Sequence, residues 1–275
     1  MKRIILVLTS LVLASVADAQ NVPAGLTGLW RFQTDPAKYS ATIGSDLTST
    51  SGNTYFLVPW TVINPGLSDG GGIQTLQYNY LTVPDGIAPN GGGTYVNQYT
   101  VSIDYRQTSL VGLYNGNYYN SLFQTATGNG NDGDLFIKGP DYAHSVIGVG
   151  DTGYSTSTFD ASQWHRITWS VDNSSFFRVY IDGTLFLDAP AQGVDGRFSL
   201  DPTFLLFADN DGEDAWGIVS TAMVWNRALT GNEVAGMGGW LNGSQTPTDL
   251  TIPEPSTLLL AGLAGLIYLF KRGRN

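Results

Sequence analysis

Residues Trp164–Leu187, with the sequence WHRITWSVDNSSFFRVYIDGTLFL, carry the strongest structural signal in the chain. Apolar and polar residues alternate along Trp164–Val171 and along Phe176–Ile181, which is the side-chain period of a β-strand with one buried face. The pair Asp182-Gly183 follows, and both residue types tolerate the positive φ angles that a two-residue hairpin turn requires. The segment therefore predicts two strands, the second of which returns through a tight hairpin that ends near Leu187.

The same alternation continues on both sides of this segment. From Tyr95 to Arg106 we expect one set of side chains in the core and the other in water. The core set is Tyr95, Tyr99, Val101, Ile103 and Tyr105, and the solvent set is Gln98, Thr100, Ser102, Asp104 and Arg106. Further strands are predicted at Thr203–Phe207 and Ile218–Trp225, which are rich in aromatic and β-branched residues. Frequent Asn-Gly and Asp-Gly pairs are typical of short strands joined by turns, so we predict an all-β fold, a two-sheet antiparallel sandwich.

One helix start stands out against this β pattern. Thr230-Gly231-Asn232-Glu233 has the spacing of a capping box, in which the side chains of the first and fourth residues bond to each other's backbone N–H groups. The motif predicts a short helix over Val234–Met237, directly after the last predicted strand.

The N-terminus has the three regions of a secretory signal peptide. Lys2-Arg3 supplies the positive charge, Ile4–Val16 is apolar, and Ala17-Asp18-Ala19 has small residues at the two positions that a signal peptidase reads. We expect a signal helix over residues 1–19 and cleavage after Ala19. The chain has no Cys, so an exported form of it cannot be stabilised by disulfides and needs a large apolar core.

The C-terminus carries a second processing signal. Pro253-Glu254-Pro255-Ser256 precedes an apolar run from Leu258 to Phe270, and Lys271-Arg272-Gly273-Arg274 follows it. A helix through the run would be about 21 Å long, shorter than the roughly 30 Å hydrocarbon core of a bilayer. The basic end would stay in the cytoplasm and leave the Pro-Glu-Pro triplet on the outer side.

This arrangement resembles the PEP-CTERM sorting signal of Gram-negative bacteria. The resemblance implies transient insertion in the inner membrane as an anchored precursor, removal of the tail by an exosortase-type peptidase, and delivery to the cell surface or the extracellular matrix. A plain C-terminal transmembrane anchor is the alternative. We therefore divide the chain into a signal peptide (1–19), a β-domain (20–242), a linker (243–252) and the sorting signal (253–275).

The charge of the segment between the two signals excludes one class of partner. It keeps 8 of the 13 basic residues and 21 of the 23 acidic residues, for a formal net charge of −13. Binding to nucleic acid depends on clustered Lys and Arg that release counterions from phosphates. We therefore expect no nucleic-acid partner.

Several segments resemble the laminin-G-like, concanavalin-A-like jelly-roll domains of exported bacterial proteins. The matching segments are Gly28-Leu29-Trp30-Arg31-Phe32, Ser121-Leu122-Phe123-Gln124, Asp132-Gly133-Asp134-Leu135-Phe136-Ile137, Trp164-His165-Arg166, Val179-Tyr180-Ile181-Asp182-Gly183 and Val224-Trp225-Asn226-Arg227-Ala228-Leu229 followed by Glu233. The resemblance implies a jelly roll over most of the chain, and such domains often bind one calcium ion at a rim of the sandwich. Because this fold carries lectins, hydrolases, lyases and adhesion modules, it does not define the function.

Two acidic loops are candidate calcium sites, since carboxylate and amide oxygens are the ligands that calcium prefers. The first contains Asp209, Asp211 and Glu213, and the second contains Asp132 and Asp134 just before a predicted strand. The two loops could also converge on a single ion. The alternative is that both are solvated turns in which Asp caps backbone amides.

Aromatic residues interleaved with Asn are candidate glycan contacts, because a sugar ring stacks on Tyr while its hydroxyls bond to amides. The clearest run contains Tyr114, Asn115, Tyr118 and Tyr119. Trp60, Tyr78 and Tyr80 are further candidates. These rings could equally be buried in the sandwich.

The sequence favours a protein that is not an enzyme. Jelly-roll glycan hydrolases usually present a Glu-x-Asp-x-x-Glu motif on one strand, and the chain has none. A Ser-His-Asp arrangement would have to use His144 or His165, and strand packing already explains Trp164-His165-Arg166.

We therefore expect an exported surface or matrix protein whose jelly-roll module is non-catalytic and binds a glycan, an exopolysaccharide or a protein, with calcium as the candidate cofactor. A structural matrix or surface-layer protein without a specific ligand is the first alternative, and a glycan-active enzyme is the second.

Overall fold

The computed structural model describes residues 20–32, 37–51, 62–63, 72–76, 79–149, 152–190, 192–209, 213–240 and 250–251. The predicted terminal helices lie outside these residues, as do Ala17, Ala19, Pro253, Glu254 and Pro255. The strands are β1 (Gln20–Asn21), β2 (Leu26–Trp30), β3 (Thr48–Ser51), β4 (Val62–Ile63), β5 (Gly72–Thr75), β6 (Asn79–Pro84), β7 (Gln98–Gln107), β8 (Tyr118–Gln124), β9 (Asp134–Gly139), β10 (Val146–Val149), β11 (Gly153–Tyr154), β12 (His165–Asp172), β13 (Phe176–Ile181), β14 (Thr184–Ala189), β15 (Thr203–Leu206), β16 (Gly217–Trp225) and β17 (Leu250–Thr251). A 3₁₀ turn spans Ala37–Tyr39, and one α-helix, α1, spans Gly231–Met237.

Two antiparallel sheets form a sandwich, which confirms the predicted fold class. The seven-stranded sheet has the order β11-β10-β9-β8-β15-β6-β3. The eight-stranded sheet has the order β14-β13-β12-β7-β16-β5-β4, and β2 pairs with β16. Apolar residues from the facing sides of both sheets, such as Phe123, Phe204 and Trp169, form one core. Because the chain has no Cys and therefore no disulfide, burial of this apolar surface is its main source of stability.

The predicted hairpin is confirmed, with β13 and β14 joined by Asp182 and Gly183. Ile181 pairs with Thr184, and the two turn residues have φ angles of +50° and +79°. Positive φ at both positions matches the right-handed twist of the flanking strands. A side chain at Gly183 would be strained, since its Cβ would also lie 3.2 Å from Cα of Ala235.

The face of β7 that we predicted to be wet is buried over its middle, so this prediction was wrong there, whereas Gln98 and Arg106 at its ends are partly exposed. Tyr99, Val101, Ile103 and Tyr105 lie in the core as expected. Thr100, Ser102 and Asp104, on the opposite face, are buried as well. The reason is that residues 226–240 lie across the outer face of the eight-stranded sheet and bond to it. Tyr95 lies before the strand and is 43% exposed, so its predicted place in the core was also wrong.

Hydrogen bonds to backbone carbonyls hold residues 226–240 on the sheet. Oγ1 of Thr100 donates to the carbonyl of Arg227 over 2.9 Å, and Oγ of Ser170 donates to the carbonyl of Leu229 over 2.9 Å. Beneath the segment, Arg166 donates to both carboxylate oxygens of Asp104 over 2.8 and 2.9 Å and to the carbonyl of Met237 over 2.7 Å. The covering segment therefore supplies carbonyl acceptors to this buried polar face.

The helix α1 begins with the predicted capping box. Oγ1 of Thr230 accepts a hydrogen bond from the N–H of Glu233, and Glu233 accepts one from the N–H of Thr230. Arg227 pairs with the Glu233 carboxylate and lowers its pKa to about 2. Val234 and Met237 are the buried residues of this short helix.

The chain divides into two compact units. The sandwich lies within Val22–Thr248, and the other unit combines Met1–Asn21 with Asp249–Asn275. In this second unit β1 pairs with β17 in parallel, so that Gln20 lies beside Leu250. Within the described residues, no helix is both long enough and apolar enough to span a membrane.

Candidate functional site

The outer face of the seven-stranded sheet carries three of the candidate residues that the structure describes, Tyr80, Tyr119 and Asp134. On β9, Leu135 and Ile137 point into the core, so Asp134, Phe136 and Lys138 point outward. The register with β8 places Lys138 opposite Tyr119 and Asp134 opposite Gln124. One sheet face therefore carries rings, an ammonium group and a carboxylate in neighbouring rows.

Three rings and one lysine form what we call the aromatic patch: Tyr119, Phe136, Lys138 and Tyr154. Nζ of Lys138 lies 5.3 Å from the ring centroid of Tyr119 and 4.6 Å from that of Tyr154, which places it between two π faces. The rings of Tyr119 and Phe136 meet edge to face at 6.2 Å. These contacts hold the rings in fixed orientations on the strands, which suits a preformed binding surface.

A buried carboxylate lies beside the aromatic patch. Asp134 is 4% exposed, and its Oδ2 accepts a hydrogen bond of 3.3 Å from Asn129. Among the residues that the structure describes, its Oδ1 has no hydrogen-bond partner, and neither does Oε1 of Gln124 on the neighbouring strand. Two buried acceptors without a donor are costly unless a proton or a cation bridges them.

The electrostatics of Asp134 follow from this burial. The pKa of Asp134 is raised to about 7, chiefly by burial; the carboxylates of Asp209 and Asp132 contribute to the rise, while the hydrogen bond from Asn129 and the charge of Arg197 oppose it. Burial also raises the pKa of Tyr154, with smaller contributions from Tyr119, Glu213 and Asp134. The two acidic loops therefore act on the same place.

The structure gives the predicted calcium ligands different roles. Asp132 accepts a 2.7 Å ion-pair hydrogen bond from Arg197. The carboxylate of Asp214 caps the backbone of Asp209, since its Oδ1 accepts a hydrogen bond of 2.9 Å from the N–H of Asp209. This is the capping role that we gave to acidic loop residues as the alternative. The carbonyl of Glu213 accepts from the N–H of Ser121 over 2.7 Å. Asp211 lies outside the described residues.

The oxygen atoms around Asp134 are of the type that a hard cation prefers, but they are too few to form a complete metal site. The unpartnered oxygens of Asp134 and Gln124 are the type of ligand that calcium prefers. However, within the part of the chain that the structure describes, no three Asp, Glu, His or Cys side chains converge as a metal site would require.

The predicted glycan residues that the structure describes do not form one cluster. Tyr114 and Asn117 exchange backbone hydrogen bonds of 2.8 and 3.0 Å around a turn in which Asn115 has a φ angle of +48°. Tyr114 is 64% exposed at this tip. Tyr119 belongs to the aromatic patch, whereas Tyr118 is opposite Gly139 and points to the other face. Tyr80 lies on the outer face of β6, and Trp60 and Tyr78 lie outside the described residues.

Sequence reasoning missed Lys138 and Tyr154. The period of two in Asp134–Gly139 could have identified Lys138 as an outward-facing neighbour of Phe136. Tyr154 lies on the two-residue strand β11, which is too short to produce a periodic pattern.

Both histidines are explained by local structure. Nδ1 of His165 lies 2.7 Å from Oδ2 of Asp182, and its Nε2 lies 3.0 Å from the carbonyl of Asp160. Because both ring nitrogens are occupied, neither is available to activate a serine. His144 pairs with Asp141 at an exposed turn.

Comparison with protein families gives two matches. A model described as the concanavalin A-like lectin/glucanases superfamily matches residues 77–235. A second, the PEP-CTERM protein-sorting motif, matches residues 251–274. The sorting motif implies export, processing by exosortase-type machinery and sorting to the cell envelope or surface. No curated protein matches the chain.

Solved structures share the fold at low sequence identity. Domain 4 of the extracellular GH43 arabinanase AbnA from Geobacillus stearothermophilus, in complex with arabinotriose, is 20% identical with a TM-score of 0.51, and the match covers 76% of this chain and 96% of that chain. Trypanosoma rangeli sialidase is 16% identical with a TM-score of 0.54 over 78% of this chain and 33% of that chain. The chain thus spans about a third of the sialidase, and these likenesses establish the fold alone.

Proposed function

The chain belongs to the concanavalin A-like lectin/glucanase superfamily, and from that membership we propose that it is a non-catalytic glycan-binding module that acts at the cell surface or in the extracellular matrix. The proposal rests chiefly on the aromatic patch. Tyr119 and Tyr154 supply ring faces, and Lys138 supplies a donor for sugar hydroxyls.

The surroundings of the patch support a carbohydrate ligand. Apolar faces of sugar rings stack on Tyr, while hydroxyl groups need nearby donors and acceptors. Glu213 and Asp134 act electrostatically on Tyr154, so acceptors border the rings. A domain of similar fold was solved in complex with arabinotriose, which makes an oligosaccharide a natural first ligand to test.

Calcium is the proposed cofactor of this surface. Asp134 and Gln124 would each supply a ligand oxygen, and water would have to complete the coordination shell. A bound calcium ion would offer free coordination positions to sugar hydroxyls and would neutralise the buried carboxylate. The unpartnered oxygens of Asp134 and Gln124 support this part of the proposal.

We place the mature protein at the surface by the route that its terminal signals suggest. Signal peptidase would remove residues 1–19, the apolar tail would hold the precursor in the inner membrane, and an exosortase-type peptidase would release it near Pro253, Glu254 and Pro255. The match of the sorting motif to residues 251–274 supports this order.

A glycan array of the full chain, screened with and without a calcium chelator and preceded by calorimetric calcium titration, tests the proposal. We expect retention of at least one glycan and weaker retention in chelator. Tyr119→Ala should weaken binding about tenfold, the loss of one stacking contact of about 1.4 kcal/mol. Phe176→Ala removes a partly exposed ring beside Arg178 on the eight-stranded sheet, so it is the matched control and should bind like the wild type.

If the chain retained no glycan on the array, the proposal of a glycan-binding module would be wrong. A chain that retains no glycan but assembles into polymers by light scattering would instead be a structural matrix protein.

A glycan-active enzyme is the second candidate because of one observation. A carboxyl with a pKa near 7 beside further carboxylates is what a glycosidase uses as its general acid. The 4% exposure of Asp134 argues against direct contact with a substrate. If the wild type released products from a panel of polysaccharides and Asp134→Asn released none, the glycan-active enzyme would be the favoured function.

A further inference from the structure

The described residues contain three Asn-Gly pairs, which begin at Asn90, Asn115 and Asn129. Such a pair can react with itself when the backbone nitrogen of the glycine attacks Cγ of the asparagine and closes an imide ring. The attack needs a side-chain amide that can rotate, a backbone N–H that is not held, and an open approach to the nitrogen, which glycine provides because it has no Cβ. The surroundings of each pair therefore decide whether it reacts in the folded protein.

Asn115 meets all three conditions. Asn115 and Gly116 lie at the exposed tip of the loop that joins β7 to β8. Among the described residues, no hydrogen bond involves the side chain of Asn115, and its carbonyl accepts one over 3.3 Å from Nδ2 of Asn117. In the same part of the chain, the N–H of Gly116 has no acceptor, and a Cβ built on Gly116 would meet no atom within 4 Å. The attacking nitrogen and its target are thus both accessible.

The turn at Asn115 is also cheap to open, which the ring closure requires. Both central residues are fixed at positive φ, +48° for Asn115 and +77° for Gly116. Two backbone hydrogen bonds between Tyr114 and Asn117, of 2.8 and 3.0 Å, close the turn. Leu113 and Tyr114 are each 64% exposed, so local opening of the tip uncovers little apolar surface.

The other two pairs are held by hydrogen bonds. Nδ2 of Asn90 donates to the carbonyl of Gln98 over 2.8 Å, and its Oδ1 accepts from the N–H groups of Asn97 and Gln98 over 2.8 and 2.7 Å. Nδ2 of Asn129 donates to Oδ2 of Asp134 over 3.3 Å. These side-chain amides cannot rotate towards the next nitrogen until their bonds break.

We propose that Asn115 is a site of spontaneous deamidation in the folded protein. The nitrogen of Gly116 bonds to Cγ of Asn115 and loses its proton to water, while the bond from Cγ to Nδ2 breaks and Nδ2 takes up a proton and leaves as ammonia. Water then opens the imide at either carbonyl, which leaves aspartate or isoaspartate at position 115. Either product places a carboxylate beside the exposed Leu113 and Tyr114, and isoaspartate also lengthens the backbone of the turn.

This modification is separate from glycan binding. The aromatic patch contains neither Asn115 nor Gly116, and the reaction needs only water. The fraction of chains that carry a carboxylate at the tip should therefore grow with the age of the exported protein.

Peptide mapping by mass spectrometry of the full chain, sampled during incubation in mildly alkaline buffer, tests the proposal. Position 115 should take the mass of aspartate at least about tenfold faster than position 90, because three side-chain hydrogen bonds must break at Asn90. In the chain unfolded by urea the two positions should convert at similar rates, since glycine follows both.

Two variants check the chemistry. Gly116→Ala should slow the conversion of Asn115, because a Cβ shields the attacking nitrogen. Asn115→Asp supplies the reference for the aspartate product, so that a second peptide of equal mass identifies isoaspartate. Equal rates at Asn115 and Asn90 in the folded chain, or no conversion at Asn115 under conditions in which the unfolded chain converts, would overturn the proposal, whatever the glycan array shows.

Discussion

At the scale of single residues, burial in the fold makes the ionised form of the Asp134 carboxyl unfavourable. Its pKa is about 7, compared with the ordinary value of 3.8, because burial and two neighbouring carboxylates disfavour the ionised form. The folded protein therefore holds a proton that the unfolded chain releases, so this carboxyl destabilises the fold progressively as the pH rises from about 4 to about 7.

This argument predicts the pH dependence of Asp134→Asn. In chelator at pH 8 the variant should unfold at a higher temperature than wild type, because the amide carries no charge to bury. Near pH 4 the difference should shrink to almost nothing, since the wild-type carboxyl is then protonated in the fold. Melting curves at a series of pH values measure this, and a variant that is less stable at pH 8 would contradict it.

The ion pair between Asp104 and Arg166 sets a second residue-scale expectation. Both side chains are buried under residues 226–240, and the pair is bidentate. Asp104→Ala leaves the guanidinium buried without a counter-charge, which should lower the free energy of unfolding by about 3–5 kcal/mol. Urea titration measures the loss.

The exposed pair between Arg178 and Asp188 provides the matched control. Asp188→Ala should cost less than about 1 kcal/mol, because solvent screens a surface pair. Equal losses in the two variants would mean that the covering segment does not bury Asp104 as the structure has it.

At the scale of elements, helix α1 depends on its first residue. Oγ1 of Thr230 accepts a hydrogen bond from the N–H of Glu233, so Thr230→Ala should lower the free energy of unfolding by about 1 kcal/mol. Thr230→Ser keeps the capping oxygen and should stay within a few tenths of a kcal/mol of wild type. Urea titration of both variants tests the cap, and a loss of the same size in Thr230→Ser would show that the methyl group matters instead.

The strands could be predicted because their period of two is local. Phe176–Ile181 has the predicted bounds, and the Asp182-Gly183 turn follows from the residue types alone. The burial of Thr100 and Ser102 could not be predicted in this way. It depends on residues 226–240, which lie more than a hundred positions away and cover the sheet only in the folded state.

The candidate site was only partly predictable for the same reason. The acidic loops and the Tyr-rich segment are visible in the sequence. The sequence does not show that Asp209 and Asp132, one from each acidic loop, both raise the pKa of Asp134. Tyr154 joins Lys138 through pairing of β10 with its neighbours, and no sequence spacing encodes that contact.

At the scale of the whole molecule, the terminal signals predict a mature chain shorter than the encoded one. We expect it to begin at Gln20 and to end close to Pro253, Glu254 and Pro255. Mass spectrometry of the protein recovered from its host's surface measures both ends. A recovered chain that retains residues 1–19 and the apolar tail would contradict export and sorting.

Hydrogen-exchange mass spectrometry of the full chain, with and without the glycan that it retains, tests most directly where this molecule binds. We predict slower exchange in β8, β9 and β11, the strands that carry Tyr119, Lys138 and Tyr154, and little change in β12 and β13 of the other sheet. Slower exchange confined to the eight-stranded sheet, or no change in either sheet, would contradict the assignment of ligand binding to the aromatic patch.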